Sequence, residues 1–159
     1  MPSILDLWRH SQKLPQGARL FSLAFAQKAP YFASIHPRFT VVEPNHAELV
    51  IPKRRSVQNH IGTVHAIALC NGLEAAMGAL AESTIPKNKR WIPKGMDISY
   101  TAKATTDITC IAETDPEQWT GEALSDQGGD VGVRVKGVRT DGTVVIEGVI
   151  RLWVTPKKS

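Results

Sequence analysis

The sequence lacks any apolar run that approaches the roughly 20 residues of a membrane-spanning helix. The nearest candidate, residues 20–26, is short and is closed at once by Lys28 and Pro30, so we interpret it as an amphipathic helix rather than a targeting signal. The hydrophobic content of 42% and charged content of 21% are those of a globular chain. We therefore expect a folded cytoplasmic protein with no membrane span.

Cysteine is also scarce. The 159 residues contain only Cys70 and Cys110, which lie in apolar stretches without CxxC spacing. Such isolated thiols are typical of small buried side chains in a reducing compartment, so no disulfide framework is expected. The five histidines have no clustered cysteines beside them, and we expect no metal site.

The excess of positive charge is small. The net charge of +4 comes partly from three short clusters, at residues 53–55, 87–90 and 157–158. Basic patches can bind nucleic acid. These clusters are not interleaved with aromatic residues, however, and no nucleic-acid-binding motif accompanies them. We therefore expect no nucleic-acid partner, and a small phosphorylated ligand or a solvated surface explains the clusters as well.

The apolar pattern predicts helices first and then strands around one long helix. Two short helices are expected at residues 3–13 and 18–28, and a strand hairpin at residues 39–51. A helix from about Thr63 to Glu82 follows, apolar on nearly every side and therefore buried. The rest of the chain is predicted to form strands at residues 97–104, 108–112, 131–136 and 144–154, with a polar loop at 115–129.

This order indicates an α+β fold in which one curved antiparallel β-sheet wraps around one long central helix. A doubly wound α/β sheet is excluded because strands and helices do not alternate. We expect a single domain over residues 1–159, with residues 1–30 as an N-terminal helical extension. An edge strand at residues 97–104 or 131–139 would favour an oligomer, because an open edge invites aggregation.

An amide and a carboxylate interrupt the apolar long helix. Asn71 and Glu74 are three residues apart and therefore lie on one face. Burying a carboxylate is costly unless it is paired or hydrogen-bonded, and no Lys or Arg lies a turn away. Glu74 thus faces a polar cavity, pairs with a strand residue such as Arg134 or Arg151, or is simply a partly exposed side chain.

The turn before this helix is rich in polar and backbone-permissive residues, namely Asn59, His60, Gly62, Thr63 and His65. A helix N-terminus offers unpaired N–H groups and a partial positive charge, from which oxyanion and phosphate sites are built. Taken singly, the asparagine and the threonine are interpreted as helix caps and the histidines as structural imidazoles. Taken together with the carboxylate on the same helix, they indicate a site.

Four of these residues form a spaced motif, N-x-x-G-x-x-H followed nine positions later by an acid: Asn59, Gly62, His65 and Glu74. With the stretch 94–100, the motif resembles the hotdog-fold thioesterases of the phenylacetate-degradation type, over roughly residues 38–155. The N-terminal helices are more like an uncharacterised branch of that fold. The resemblance implies a hotdog fold, acyl-coenzyme A substrates, no cofactor besides the substrate's own coenzyme A, and a homodimer or homotetramer with sites between subunits.

The resemblance also implies roles for individual residues. Glu74 would be the general base or nucleophile, and Asn59 would orient the attacking water or the carbonyl. The N–H of Ala66, directly after His65, would donate to the thioester oxygen. The sequence departs from the family where Ala66-Ile67 replaces a common Gly-Gly, and where Pro93 replaces a residue that often supplies a hydroxyl.

Further residues are expected to bind the substrate. The other residues of the helix entrance are candidates by their position, and Lys89 and three arginines are candidates for the nucleotide phosphates of coenzyme A because of their charge. These predicted substrate-binding residues are His60, Gly62, Thr63, Arg54, Arg55, Lys89 and Arg90.

Two other functions fit the same pattern. A dehydratase or hydratase acting on acyl-thioesters also uses a histidine before the central helix and a carboxylate on it, with a separation like that of His60 and Glu74. The Pro-Gly-rich helix entrance of that family is missing, however. The third interpretation is a non-catalytic acyl-coenzyme A binding module in which Glu74 is a structural acid.

Overall fold

Alternating apolar residues place one face of six antiparallel strands in the core. The computed structural model describes residues 2–158, without the side chains of Glu122 and Ala123. In chain order the strands are β1 (Arg38–Glu43), β2 (His46–Ile51), β3 (Lys89–Tyr100), β4 (Ile108–Glu113), β5 (Gly129–Arg139) and β6 (Val144–Pro156). They form one sheet in the order β1-β2-β4-β5-β6-β3, with every neighbouring pair antiparallel.

The long helix packs on the inner face of this sheet. The helices are α1 (Ile4–Ser11), α2 (Gly17–Lys28) and α3 (Ala66–Thr84), with short 3-10 segments at Pro30–Ile35, Arg55–Val57, Pro116–Trp119 and Gly121–Leu124. The apolar pattern predicts that five α3 residues are buried, Ala66, Leu69, Leu73, Met77 and Leu80. The last four are at most 3% exposed, and Ala66 is half-buried. Gly72 lets the helix approach the sheet closely, since a Cβ there would lie 2.5 Å from Cδ1 of Ile51. The predicted α+β architecture is confirmed.

The N-terminal helices pack on the same core. Helix α1 begins with a capping box in which Ser3 and Asp6 exchange hydrogen bonds. The ring of Phe21 on α2 packs edge-on against Trp8 of α1 at 5.0 Å and against Phe39 of β1 at 5.4 Å. Among residues 2–158, no helix is both long and apolar enough to cross a membrane.

The predicted bounds of two elements are wrong. Helix α3 begins at Ala66 instead of Thr63, because His65 has an extended backbone (φ −62°, ψ 140°) and acts as the N-cap. Strand β3 begins at Lys89 instead of residue 97 and ends at Tyr100 instead of residue 104. The chain then turns back, and the carbonyl of Ala104 accepts a hydrogen bond from the N–H of Val64 at 2.9 Å. The predicted loop at 115–129 contains the last two 3-10 segments.

The sheet has two edge strands, β1 and β3. The predicted alternative edge at residues 131–139 is wrong, because β5 lies between β4 and β6. Strand β3 is 12 residues long and exposes large apolar side chains, with Ile92 59% and Tyr100 57% exposed. It runs back along α3, so that the Trp91 Nε1–H donates to Oε1 of Glu82 near the C-terminal end of the helix. The opposite end of β3 therefore lies beside the N-terminal half of α3.

Candidate active site

Asn59 organises the loop that leads into α3. Its Oδ1 accepts hydrogen bonds from the N–H groups of Ile61 and Thr63, both at 3.1 Å, and its Nδ2 donates to Oγ1 of Thr63 at 2.9 Å. Gly62 closes the turn with φ +77°, a conformation that favours glycine. Because its carbonyl oxygen is engaged inside the loop, Asn59 shapes the helix entrance, and the structure does not present this oxygen to a bound water.

His65 caps α3 through one of the first-turn amides and leaves the amide of Ala66 open. Its Nδ1 accepts a hydrogen bond from the N–H of Ile67 at 3.0 Å. The preceding N–H, on Ala66, donates to no acceptor among residues 2–158. It is one of the unpaired N–H groups at which the partial positive charge of a helix is concentrated. Ala66 lines a groove of about 380 Å³ together with Asn59, Thr63, Leu69 and Tyr100.

Glu74 faces a second groove on the same side of the helix. Ala66, Cys70 and Glu74 follow one another at intervals of four residues, which places them in one row along α3. The second groove, of about 350 Å³, is lined from α3 by Ile67, Cys70, Asn71 and Glu74 and from the N-terminal region by residues 29–32. We call the row Ala66–Cys70–Glu74 the active row.

The carboxylate of Glu74 is half-buried and forms no ion pair or hydrogen bond with any group in residues 2–158. Its two predicted partners are engaged elsewhere, since Arg134 pairs with Asp115 and Arg151 with Asp97. Glu74 is therefore not a structural ion pair. It is an available carboxylate at the wall of a groove.

Asn71 ties the N-terminal region to α3. Its side chain is 7% exposed, and its Nδ2 donates to Oγ of Ser34 at 3.1 Å and to the carbonyl of Tyr31 at 3.5 Å. Its Oδ1 is buried without a hydrogen-bond partner in the described chain. Through this amide the 3-10 segment Pro30–Ile35 is fixed as the outer wall of the groove that contains Glu74.

The remaining predicted residues are distributed unevenly. His60 is exposed at the tip of the loop, and Thr63 is buried beneath it. Arg54 and Arg55 are exposed just before the loop, where the segment Arg55–Val57 contacts the segment Pro30–Ile35. Arg90 is near the start of β3, about 30 Å along the strand from Tyr100. The adjacent Lys89 is buried, and its Nζ donates to the carbonyl of Ser125. One chain thus brings all the predicted residues except Lys89 and Arg90 to the N-terminal half of α3.

Sequence reasoning missed two contributors to this site. The hydroxyl of Tyr100 lies 3.6 Å from Sγ of Cys70, and this contact and then burial raise the pKa of the phenol. The sequence could have indicated Cys70, because it is four residues from both Ala66 and Glu74. It could not have indicated Tyr100, since the contact joins residues 30 apart in sequence.

The described residues contain no group of three or more His, Cys, Asp or Glu side chains that could hold a metal ion. Along the active row the structure brings together one carboxylate, one thiol, one phenol and one open backbone amide. A carboxylate can accept a proton from water, and an amide at a helix N-terminus can stabilise a developing oxyanion.

A long central helix enclosed by a curved antiparallel sheet is the hotdog fold, and solved structures of this fold match the chain. The crystal structure of a genomics protein whose name states no function is 39% identical, with a TM-score of 0.83, over 97% of this chain and 99% of that one. A protein of unknown function from Pseudomonas aeruginosa, named a probable thioesterase, is 23% identical with a TM-score of 0.78, over 91% and 97% of the two chains. A thioesterase family protein from Silicibacter pomeroyi is 18% identical with a TM-score of 0.68, over 86% and 96%.

Residues 17–154 match the family described as a domain of unknown function, DUF4442. The match spans most of the chain, which therefore belongs to this family. No curated protein matches the sequence significantly.

Proposed function

We propose that this protein hydrolyses acyl-coenzyme A thioesters, with Glu74 as the general base and the Ala66 N–H as a donor to the thioester carbonyl. One observation carries the proposal: an unpaired carboxylate and an unpaired helix N-terminal amide lie in the same row of α3, each at the wall of a groove. The names of the P. aeruginosa and S. pomeroyi proteins support a thioesterase activity.

The spacing of the two groups suits the reaction. Ala66 and Glu74 are separated by about 12 Å along the helix axis. The Glu74 side chain leans toward the helix N-terminus, as helical side chains do, and this shortens the gap to the open amide. A thioester carbonyl and one water molecule would occupy the remaining space.

The chemistry follows from these positions. The Ala66 N–H and the positive end of the helix polarise the carbonyl. Glu74 takes a proton from water as the water oxygen bonds to the carbonyl carbon. The carbon–sulfur bond then breaks, and the coenzyme A thiolate leaves and recovers the proton. The products are a carboxylic acid and free coenzyme A.

The geometry favours hydrolysis over the hydratase alternative. A hydratase of this fold needs a histidine that faces the carboxylate across the substrate. His60 is exposed at the tip of its loop, and Nδ1 of His65 is occupied by the N-cap hydrogen bond. Neither imidazole lines the groove that contains Glu74.

Glu74→Gln keeps the shape of the side chain and removes the base. We expect turnover on acyl-coenzyme A substrates to fall about a hundredfold, as loss of a general base typically does, with KM and the melting temperature nearly unchanged. Turnover is measured as thiol release, with a thiol reagent and a panel of acyl-coenzyme A substrates that differ in acyl chain. Glu82→Gln, on the same helix, is the matched control and should retain full activity. Hydrolysis by Glu74→Gln at the wild-type rate would contradict the proposal, as would a wild-type protein that binds the esters without releasing thiol.

Arg54 and Arg55 are proposed to bind the nucleotide phosphates of coenzyme A. Both are exposed, and they lie on the chain just before the loop that forms the helix entrance. Their guanidinium groups would form charge-assisted hydrogen bonds with phosphate oxygens.

Replacing Arg54 and Arg55 together by Ala should raise KM for acyl-coenzyme A, because the phosphate contacts are lost. A short thioester that lacks the nucleotide should be hydrolysed as before. Steady-state kinetics on the two substrates make the comparison, and the double replacement of the exposed Arg9 and Arg19 is the control for loss of surface charge. Equal impairment on both substrates would show that the pair is structural.

The open edge of β3 is proposed to pair with β3 of a second copy. If the two strands overlap fully in antiparallel register, Lys89 of one copy lies opposite Tyr100 of the other. Such pairing would cover the exposed edge. It would place Arg90 of the second copy opposite Ser99, on the face of the sheet directed away from α3, so that Arg90 stays outside the site.

This arrangement predicts a dimer or tetramer by sedimentation at micromolar concentration. A protein that sediments as a monomer would argue against this pairing.

A further inference from the structure

Tyr100 lies beside Cys70, the middle residue of the active row. It is the last residue of β3, and its hydroxyl lies 3.6 Å from Sγ of Cys70. Cys70 is one turn from Ala66 and one turn from Glu74 on the same side of α3. The phenol therefore lies over the helix face between the open amide and the carboxylate.

The contact of Tyr100 with Cys70 connects a residue of one groove with a residue of the other. Tyr100 lines the groove that contains Ala66, whereas Cys70 lines the groove that contains Glu74. A thioester that spans the two grooves from the Ala66 N–H toward Glu74 would lie near the contact of Tyr100 with Cys70.

The hydroxyl is available as a donor. Its one hydrogen-bond partner among residues 2–158 is the Cys70 sulfur; either atom can be the donor, and a thiol is weak in both roles. A carbonyl oxygen, or the oxyanion that develops from it, competes well for the same proton. The pKa of Tyr100 is raised first by the contact with Cys70 and then by burial, so the phenol stays protonated at neutral pH.

We propose that the Tyr100 hydroxyl is the second hydrogen-bond donor to the thioester carbonyl oxygen, beside the N–H of Ala66, and that Cys70 holds the ring in place. This assignment rests on the proposed thioester hydrolysis. It adds a donor from the end of β3 to the open amide at Ala66.

Tyr100→Phe keeps the ring and removes the donor. Because the donor acts on the developing oxyanion, we expect kcat for acyl-coenzyme A hydrolysis to fall about a hundredfold, with KM nearly unchanged. Ser99→Ala is the control, since it removes a hydroxyl from the exposed neighbouring residue of the same strand, whose side chain lies on the other face of the sheet. It should retain the wild-type kcat. Cys70→Ser keeps an acceptor for the hydroxyl and should be closer to wild type than Cys70→Ala.

The outcomes separate this proposal from the proposed function. If Glu74→Gln is impaired and Tyr100→Phe keeps the wild-type kcat, the Tyr100 assignment is overturned and hydrolysis at Glu74 stands. If kcat and the melting temperature of Tyr100→Phe fall together, the residue is structural and the assignment is also overturned. If neither Glu74→Gln nor Tyr100→Phe lowers kcat, or if the wild-type protein hydrolyses no thioester, both proposals fail.

Discussion

The close packing of α3 against the sheet is the constraint on which the rest of the structure depends. Leu73, Met77 and Leu80 are fully buried between the helix and the strands, and Gly72 allows contact with Ile51 and Cys110 that any larger residue would block. Protein cores are packed densely enough that such a contact fixes the rotation of a helix about its axis. The face with Ala66, Cys70 and Glu74 is therefore directed away from the centre of the sheet.

The spacing of the groups in the active row is well defined because they all belong to one rigid helix. An amide and a carboxylate on the same helix keep their separation whatever the surrounding loops do. Two other parts of the chain are then positioned against the row, the segment Pro30–Ile35 by the Asn71 amide and the end of β3 by the Tyr100–Cys70 contact. In the proposed reaction α3 carries the reacting groups, and the end of β3 and the segment Pro30–Ile35 bound the space for the substrate.

Much of the fold could be predicted from the sequence because it depends on local periodicity. The alternation of Val131, Val133 and Val135 marks the buried face of β5, and the apolar run after Ala66 marks α3. Contacts between distant segments were not predictable in this way. The pairing of Tyr100 with Cys70 depends on β3 running back along α3. The hydrogen bonds of Asn59 were not predictable either. Its amide is engaged within its own loop, and the residue type alone does not distinguish such an amide from a free one that contacts substrate.

The open amide and the carboxylate of α3 are proposed to act on one thioester. A crystal structure of the Glu74→Gln variant with an intact acyl-coenzyme A would show whether they do, since the bound ester would be hydrolysed slowly or not at all. We expect the thioester carbonyl oxygen about 3 Å from the Ala66 nitrogen, with the side chain at position 74 directed toward the carbonyl carbon. A thioester bound elsewhere, or bound here with its carbonyl turned away from Ala66, would rule out this arrangement.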